Sequence, residues 1–133
     1  TEEAMHRDLQ SCYKNWTTPL EMAKLLEIFI TQPILSDDYK SFIKHTMIES
    51  KTGKNRLISP LLTTNAIVGH KTGTGDSDGR GRIIGMNDVG FIILPDGQRY
   101  TIAVFVRDSE ESSRATEKII ADISKAVYQH IIR

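Results

Sequence analysis

Cys12 is the only cysteine in the chain, so no internal disulfide can form, and one thiol says little about redox compartment. It reads as a small, partly buried hydrophobe. An excess of charge of one sign is also missing: 17 acidic and 17 basic residues cancel. No basic stripe interleaves with aromatics, which argues against a nucleic-acid or anionic-membrane partner. No apolar run approaches the length of a membrane span. His, Cys, Asp and Glu show no metal-ligand spacing, so no metal and no cofactor is expected and a zinc hydrolase is set aside. Internal repeats and low-complexity tracts are absent.

What is present fits one ordinary domain: 133 residues, 39% hydrophobic and 26% charged. The chain opens Thr1-Glu2-Glu3 without an initiator Met, as a segment of something longer would. Residues 1–16 are polar and aperiodic and read as a long ordered loop, a kind of segment that is usually functional. Thr17-Thr18-Pro19 starts a helix with a hydroxyl cap and Pro in its first turn. Leu20, Ala23, Leu26 and Ile30 follow at helical spacing until Gln32-Pro33. Ser36-Asp37-Asp38 caps a second helix with Tyr39, Phe42, Ile43 and Met47 on its apolar face. A short third helix or turn is expected over 55–62, interrupted by Pro60.

Strand signals then take over. The spacing predicts strands over 65–74, 83–94 and 100–106, with Leu94-Pro95-Asp96-Gly97-Gln98 as a hairpin turn. Residues 109–132 form a long amphipathic helix, with Ala115, Ile119, Ile123, Ala126, Val127 and Ile131 on one face and Ser109-Glu110-Glu111-Ser112 at its start. The class is α+β: a three-stranded antiparallel meander packed with helices and closed by a long C-terminal helix. The third strand is apolar on both faces yet has no partner for its outer side. An exposed apolar edge invites aggregation, so further strands are expected from a more complete protein.

Lys-Thr-Gly occurs twice. Lys51-Thr52-Gly53 closes the second helical run, with Gly53 where a left-handed cap residue would sit, and reads as a stop signal. Lys71-Thr72-Gly73 ends a strand and continues into Thr74-Gly75, where a cation, a hydroxyl and a glycine can line an anion-binding edge. On pattern alone Lys71 is equally a solvated edge-strand lysine.

In this context the chain resembles the C-terminal half of the class A serine β-lactamases. Their signature is a Ser-x-x-Lys, a Ser-Asp-Asn and a Lys-Thr-Gly, and only the third, at Lys71-Thr72-Gly73, is assigned to this chain. Glu2 and His6 resemble the family's omega-loop Glu and the Asn four residues after it. Asn15-Trp16-Thr17-Thr18-Pro19 looks like the segment leaving that loop, and Asn87-Asp88, the Leu94–Gly97 turn and the final helix match one branch. His6 stands where many relatives have Asn, Glu3 where Pro is frequent, and Asn15 where Asp is common. The Arg that many members carry near Met86-Asn87 is missing. These departures are similar to an extended-spectrum, cephalosporin-handling branch.

The resemblance implies an incomplete β-lactamase-like domain, with 1–16 as omega-type loop, 17–62 helical, 65–106 the strands of a larger five-stranded sheet, and 109–132 the terminal helix. It implies hydrolysis of a β-lactam, cephalosporins above all, in the periplasm or outside the cell. Glu2 would be the base that activates the deacylating water, with His6 holding the same water. Lys71 would set its charge against the substrate carboxylate and the Ser of the absent Ser-Asp-Asn. Thr72 would bond that carboxylate, Gly73 would let the ligand approach the backbone, and Thr74 would supply an oxyanion N–H. Arg56 would replace the missing arginine, with Arg80 and Arg82 as rivals and a surface role as the plain alternative. His45, His70 and His130 read as structural. The partner would be the N-terminal half bearing the two Ser motifs, without which the 133 residues should be inactive. A penicillin-binding D,D-peptidase, or a non-catalytic complementation fragment, is the competing assignment.

Overall fold

The computed structural model describes residues 3, 7–14 and 16–133. After a 3-10 turn at Leu9–Lys14 the elements run α1 (Pro19–Thr31), α2 (Asp37–Ile48), a 3-10 turn (Ser59–Leu61), β1 (Ile67–Thr74), β2 (Ile83–Ile93), β3 (Arg99–Ser109) and α3 (Ser113–Ile131). The sheet is antiparallel in the order β1-β2-β3, the meander expected from the strand and turn signals. Its hairpin closes with Leu94 N–H donating to the Gln98 carbonyl at 2.8 Å.

Register assigns the two faces of the sheet. Val68, His70 and Thr72 pair with Ile92, Gly90 and Asp88, which pair in turn with Tyr100, Ile102 and Val104. Side chains alternate across a strand, so these residues share one face. Against it lies the core of Leu57, Leu61, Met86, Ile92, Ile102, Val104 and Ile120, with α3 on top. On the opposite face Thr101 Oγ1 donates to the Ala23 carbonyl of α1 at 3.0 Å, and α2 packs along β1. Gly69 admits the Phe91 ring, since a Cβ there would stand 2.2 Å from Cζ.

Helix starts were legible; helix faces were only partly so. Thr18 Oγ1 accepts from the Glu21 amide at 3.1 Å and Pro19 opens α1 as expected. The buried positions of α1 are Leu26 and Phe29, while Leu20 lies exposed. Ser36 makes no side-chain cap bond, and α2 buries none of its residues fully. The segment 55–62, expected as a short helix or turn, is a run of i→i−3 bonds with a 3-10 turn at Ser59–Leu61: Arg56 to Gly53, Ser59 to Arg56, Leu61 to Ile58. Pro60 has no amide to continue an α-helical ladder there.

α3 begins at Ser113, later than expected, because residues through Ser109 extend β3; Ser112 Oγ caps it by accepting from Ala115 N–H at 3.2 Å. Its buried stripe is Thr116, Ile120 and Ser124, and Ile119 and Ile123 face outward. The two hydroxyls explain the rotation. Thr116 Oγ1 shares a hydrogen bond with Ser109 Oγ, and Ser124 Oγ donates to the Leu57 carbonyl, both at 2.8 Å.

Among the described residues β1 and β3 each pair on one side only, so the free apolar edge expected at the third strand is present. No helix among them is long and apolar enough to cross a membrane.

Candidate active site at the free edge of β1

Four of the proposed site residues lie in a row along β1. The amide of Gly75 donates to the Gly85 carbonyl at 2.8 Å, which fixes the phase of the antiparallel ladder. Lys71 and Gly73 therefore turn their backbone groups toward β2, and Thr72 and Thr74 turn theirs to the unpaired side. Side chains alternate in the other sense. Thr72 lies on the core face with buried His70, while exposed Lys71 lies on the opposite face. The lysine reaches back over the edge, where Nζ donates to the Thr72 carbonyl. Cation, hydroxyl and outward backbone groups thus meet only at the rim of the strand.

Arg56 is not a surface arginine. It is 5% exposed, and its guanidinium sits behind the strand. Nε donates to Glu117 Oε1 at 3.2 Å, Nη1 to the carbonyls of Gly73 at 3.2 Å and Asn87 at 3.1 Å, and Nη2 to Thr74 Oγ1 at 2.7 Å. It clamps β1, β2 and α3 together and orients the Thr74 hydroxyl. Its rival Arg82 is committed to Asp78, through Nε at 2.8 Å and Nη2 at 2.7 Å. Those bonds, with Arg82 N–H and then Arg80 N–H, hold the Asp78 carboxyl below its usual value and raise Arg82 above its own. Arg80 is exposed on the same link.

A buried pair stands directly under the strand. His70 Nδ1 lies 2.9 Å from Asp88 Oδ1, and Leu57 N–H donates to Asp88 Oδ2 at 3.1 Å. Both side chains are fully enclosed, and His70 Nε2 has no partner among the described residues. His70 therefore braces β1 against the 53–57 turn. Tyr100 Oη is also buried without a partner among the described residues, and burial, with Tyr128 beside it, pushes its hydroxyl up to about 12.

The second Lys-Thr-Gly is more than a stop signal. α2 ends at Ile48 with Glu49 as its C-cap, and Gly53, at φ 66, belongs to the following turn. That turn lays Thr52 and Gly53 against Thr72: the two threonine Oγ1 atoms are 2.8 Å apart. The repetition of the tripeptide was visible; its contact with the first copy needed the fold.

Glu2, His6 and Asn15 lie outside the described residues, as does the side chain of Cys12. Downstream of the first two, Tyr13 Oη donates to Asp108 Oδ1 at 2.8 Å, and the Arg107 guanidinium carbon lies 4.3 Å from the Tyr13 ring centroid. These contacts tie the 9–14 turn to the end of β3. Ser-x-x-Lys does occur to the letter, as Ser11–Lys14 and Ser41–Lys44, a correction to the assignment of Lys-Thr-Gly alone. Ser11 Oγ donates to Asp8 Oδ2 at 3.0 Å and Ser41 is exposed in mid-helix, so neither tetrapeptide opens a helix beside the β1 rim. No Ser-Asp-Asn occurs.

β1 thus presents a cationic rim on a sheet edge, braced from behind by a buried arginine. Residues 2–131 match the family described as the Beta-lactamase enzyme family. A β-lactamase of Bacteroides uniformis is 42% identical over 129 residues, covering 96% of this chain and 43% of that protein. The structure of the TLA-3 extended-spectrum β-lactamase superposes with a TM-score of 0.94 at 44% identity, covering all of this chain and 48% of the other. A representative class A β-lactamase from Bacteroides cellulosilyticus superposes with a TM-score of 0.90 at 45% identity, covering 98% and 47%. The chain belongs to the β-lactamase family, with the class A fold. It spans less than half the length of the relatives it matches.

Proposed function

We propose that this chain forms one wall of the active site of a serine β-lactamase that hydrolyses the β-lactam amide, cephalosporins among its substrates, in the periplasm or outside the cell. The observation that carries the reading is the unpaired rim of β1, where Lys71, Thr72 and Thr74 gather with Arg56 making four hydrogen bonds behind them. A substrate carboxylate would meet the Lys71 charge and the Thr72 hydroxyl. The outward N–H of Thr74 would bond the anionic oxygen that develops on the lactam carbonyl, a donor worth about 3 kcal/mol in comparable sites. The Thr74 carbonyl would accept from the substrate amide, so that the ligand extends the sheet edge. Gly73 keeps that approach free of a side chain.

The nucleophilic Ser, on the rest of the protein, would attack the lactam carbonyl, and the C–N bond would break as the nitrogen takes a proton. Glu2 would then remove a proton from a water held with His6, and that water would cleave the ester and release the Ser. Arg56 serves as a brace that fixes Thr74, rather than as a free carboxylate ligand. Tyr39 and Phe42, both 69% exposed on α2, support a partner half that covers this face.

Turnover of a chromogenic cephalosporin by the full-length protein, followed by mass spectrometry, tests this. The wild type should hydrolyse without a lasting adduct, and Glu2→Ala should accumulate the acyl-enzyme. A lasting adduct in the wild type would instead indicate a D,D-peptidase. Hydrolysis by the isolated 133 residues would contradict the shared site.

A further inference from the structure

Thr72 is held by two consecutive residues of the turn that follows α2. Thr52 Oγ1 lies 2.8 Å from Thr72 Oγ1, and Ser50 Oγ lies 3.3 Å from Thr52 Oγ1. Gly53 receives the other branch of Thr72: a Cβ at 53 would stand 2.3 Å from Thr72 Cγ2. A β-branched side chain has few χ1 wells, and fixing both its hydroxyl and its methyl selects one. The rotamer of the rim hydroxyl is therefore set by Thr52-Gly53, outside the strand that carries it.

The hydroxyl pair shares a single proton, and its direction has a chemical consequence. A hydroxyl has one O–H to give. If Thr72 donates to Thr52, it offers only lone pairs at the rim and repels an anion. If Thr52 donates to Thr72, the Thr72 proton is free for the ligand, and each bond in the chain polarises the next. A carboxylate accepts only, so it selects the second direction.

We propose that Thr52 is a positioning residue that donates to Thr72 and aims the Thr72 proton at a carboxylate bound along the β1 rim. This rests on the reading above, in which Thr72 meets the substrate carboxylate. Thr52 touches no reacting atom and acts only through Thr72. The tripeptide that resembled a helix stop would be the support of the one that resembled a site.

The test is kinetics on the full-length protein with Thr52→Val, isosteric but without the hydroxyl, and Thr52→Ser, which restores it. Thr52 is exposed, so neither change should disturb folding; should Thr52→Val fail to fold, Thr52→Ala takes its place. Thr52→Val is expected to raise KM for a carboxylate-bearing cephalosporin about 3–10-fold with kcat little changed, the scale of one hydrogen bond. Thr52→Ser should stay near wild type, and a carboxylate-esterified analogue should show no difference among the three proteins. Unchanged KM in Thr52→Val, equal losses on acid and ester, or a Thr52→Ser as weak as Thr52→Val would each overturn the proposal while leaving the β-lactamase reading intact. A wild type inactive on every β-lactam would overturn the reading itself, and this inference with it.

Discussion

His70 and Asp88 meet inside the protein with neither side chain reaching solvent, Nδ1 2.9 Å from Oδ1, one residue away from the lysine on the rim. The same carboxylate receives the Leu57 amide. The strand that carries the site is therefore fastened to the turn that carries Arg56 by a polar contact in the core.

Removing the acceptor should be costly. Asp88→Ala leaves the His70 ring N–H and the Leu57 amide as unpaired buried donors, and a loss of about 3–5 kcal/mol is expected. Asp88→Asn keeps the shape and one acceptor oxygen, so a smaller loss of about 1–3 kcal/mol is expected. Urea unfolding of the full-length variants measures both, and equal stability of Asp88→Ala and wild type would remove the pair's bracing role.

Gly53→Ala should destabilise for two reasons that act together. The backbone sits at φ 66, and the added methyl would collide with Thr72 Cγ2. Left-handed backbone alone costs a non-glycine residue about 1 kcal/mol, and the collision adds to it. A loss of about 2 kcal/mol or more is expected on that basis. The control is Gly79→Ala, where nothing lies within 4 Å of the new Cβ and a melting temperature near that of wild type is expected.

Arg56→Lys is not a conservative change here. Four hydrogen bonds leave the guanidinium in three directions, and a point-charge ammonium cannot reproduce that fork. A stability loss of about 2–4 kcal/mol is expected from the buried, underpaired partners. Amide exchange should quicken at Gly73 and Gly75, whose amides face β2, more than at Ile92; uniform exchange along the sheet would contradict a local clamp.

Asp78 supplies a pH dependence with a definite sign. Its carboxyl is held below the ordinary value of 3.8 by the Arg82 side chain first, then by the Arg82 and Arg80 amides. The folded value is the lower one. The order of the 76–82 link is thus fully supported above pH 3.8 and lost as pH falls through the folded value. Nuclear magnetic resonance titration of the Asp78 carboxyl should show a midpoint below 3.8, and Arg82→Gln should move it upward. A midpoint that ignores Arg82→Gln would dismiss the ion pair as its cause.

Elements read from local chemistry transferred well to the fold. Thr18-Pro19 starts a helix because capping is satisfied within one turn. Leu94–Gln98 is a hairpin turn because Pro and Gly meet its local backbone demands. Helix faces transferred less well. In α3 the apolar count favoured Ile119 and Ile123, but Thr116 and Ser124 are buried, because their hydroxyls bond Ser109 and the Leu57 carbonyl from distant parts of the chain. Arg56 shows the same limit. A charged residue in a polar turn reads as a ligand-binding or a surface side chain, and only three converging segments turn it into a buried clamp.

From the amino-acid order alone came the α+β class, the meander and the Lys71–Thr74 rim, all set by periodicity, turn residues and motif within a few positions of each other. Tertiary structure decided what stands behind that rim: His70 on Asp88, Arg56 on Thr74, and one Lys-Thr-Gly laid against the other. Those partners are 18 to 20 residues apart along the chain. No local periodicity encodes such a meeting; it exists once the core beneath β1 has closed.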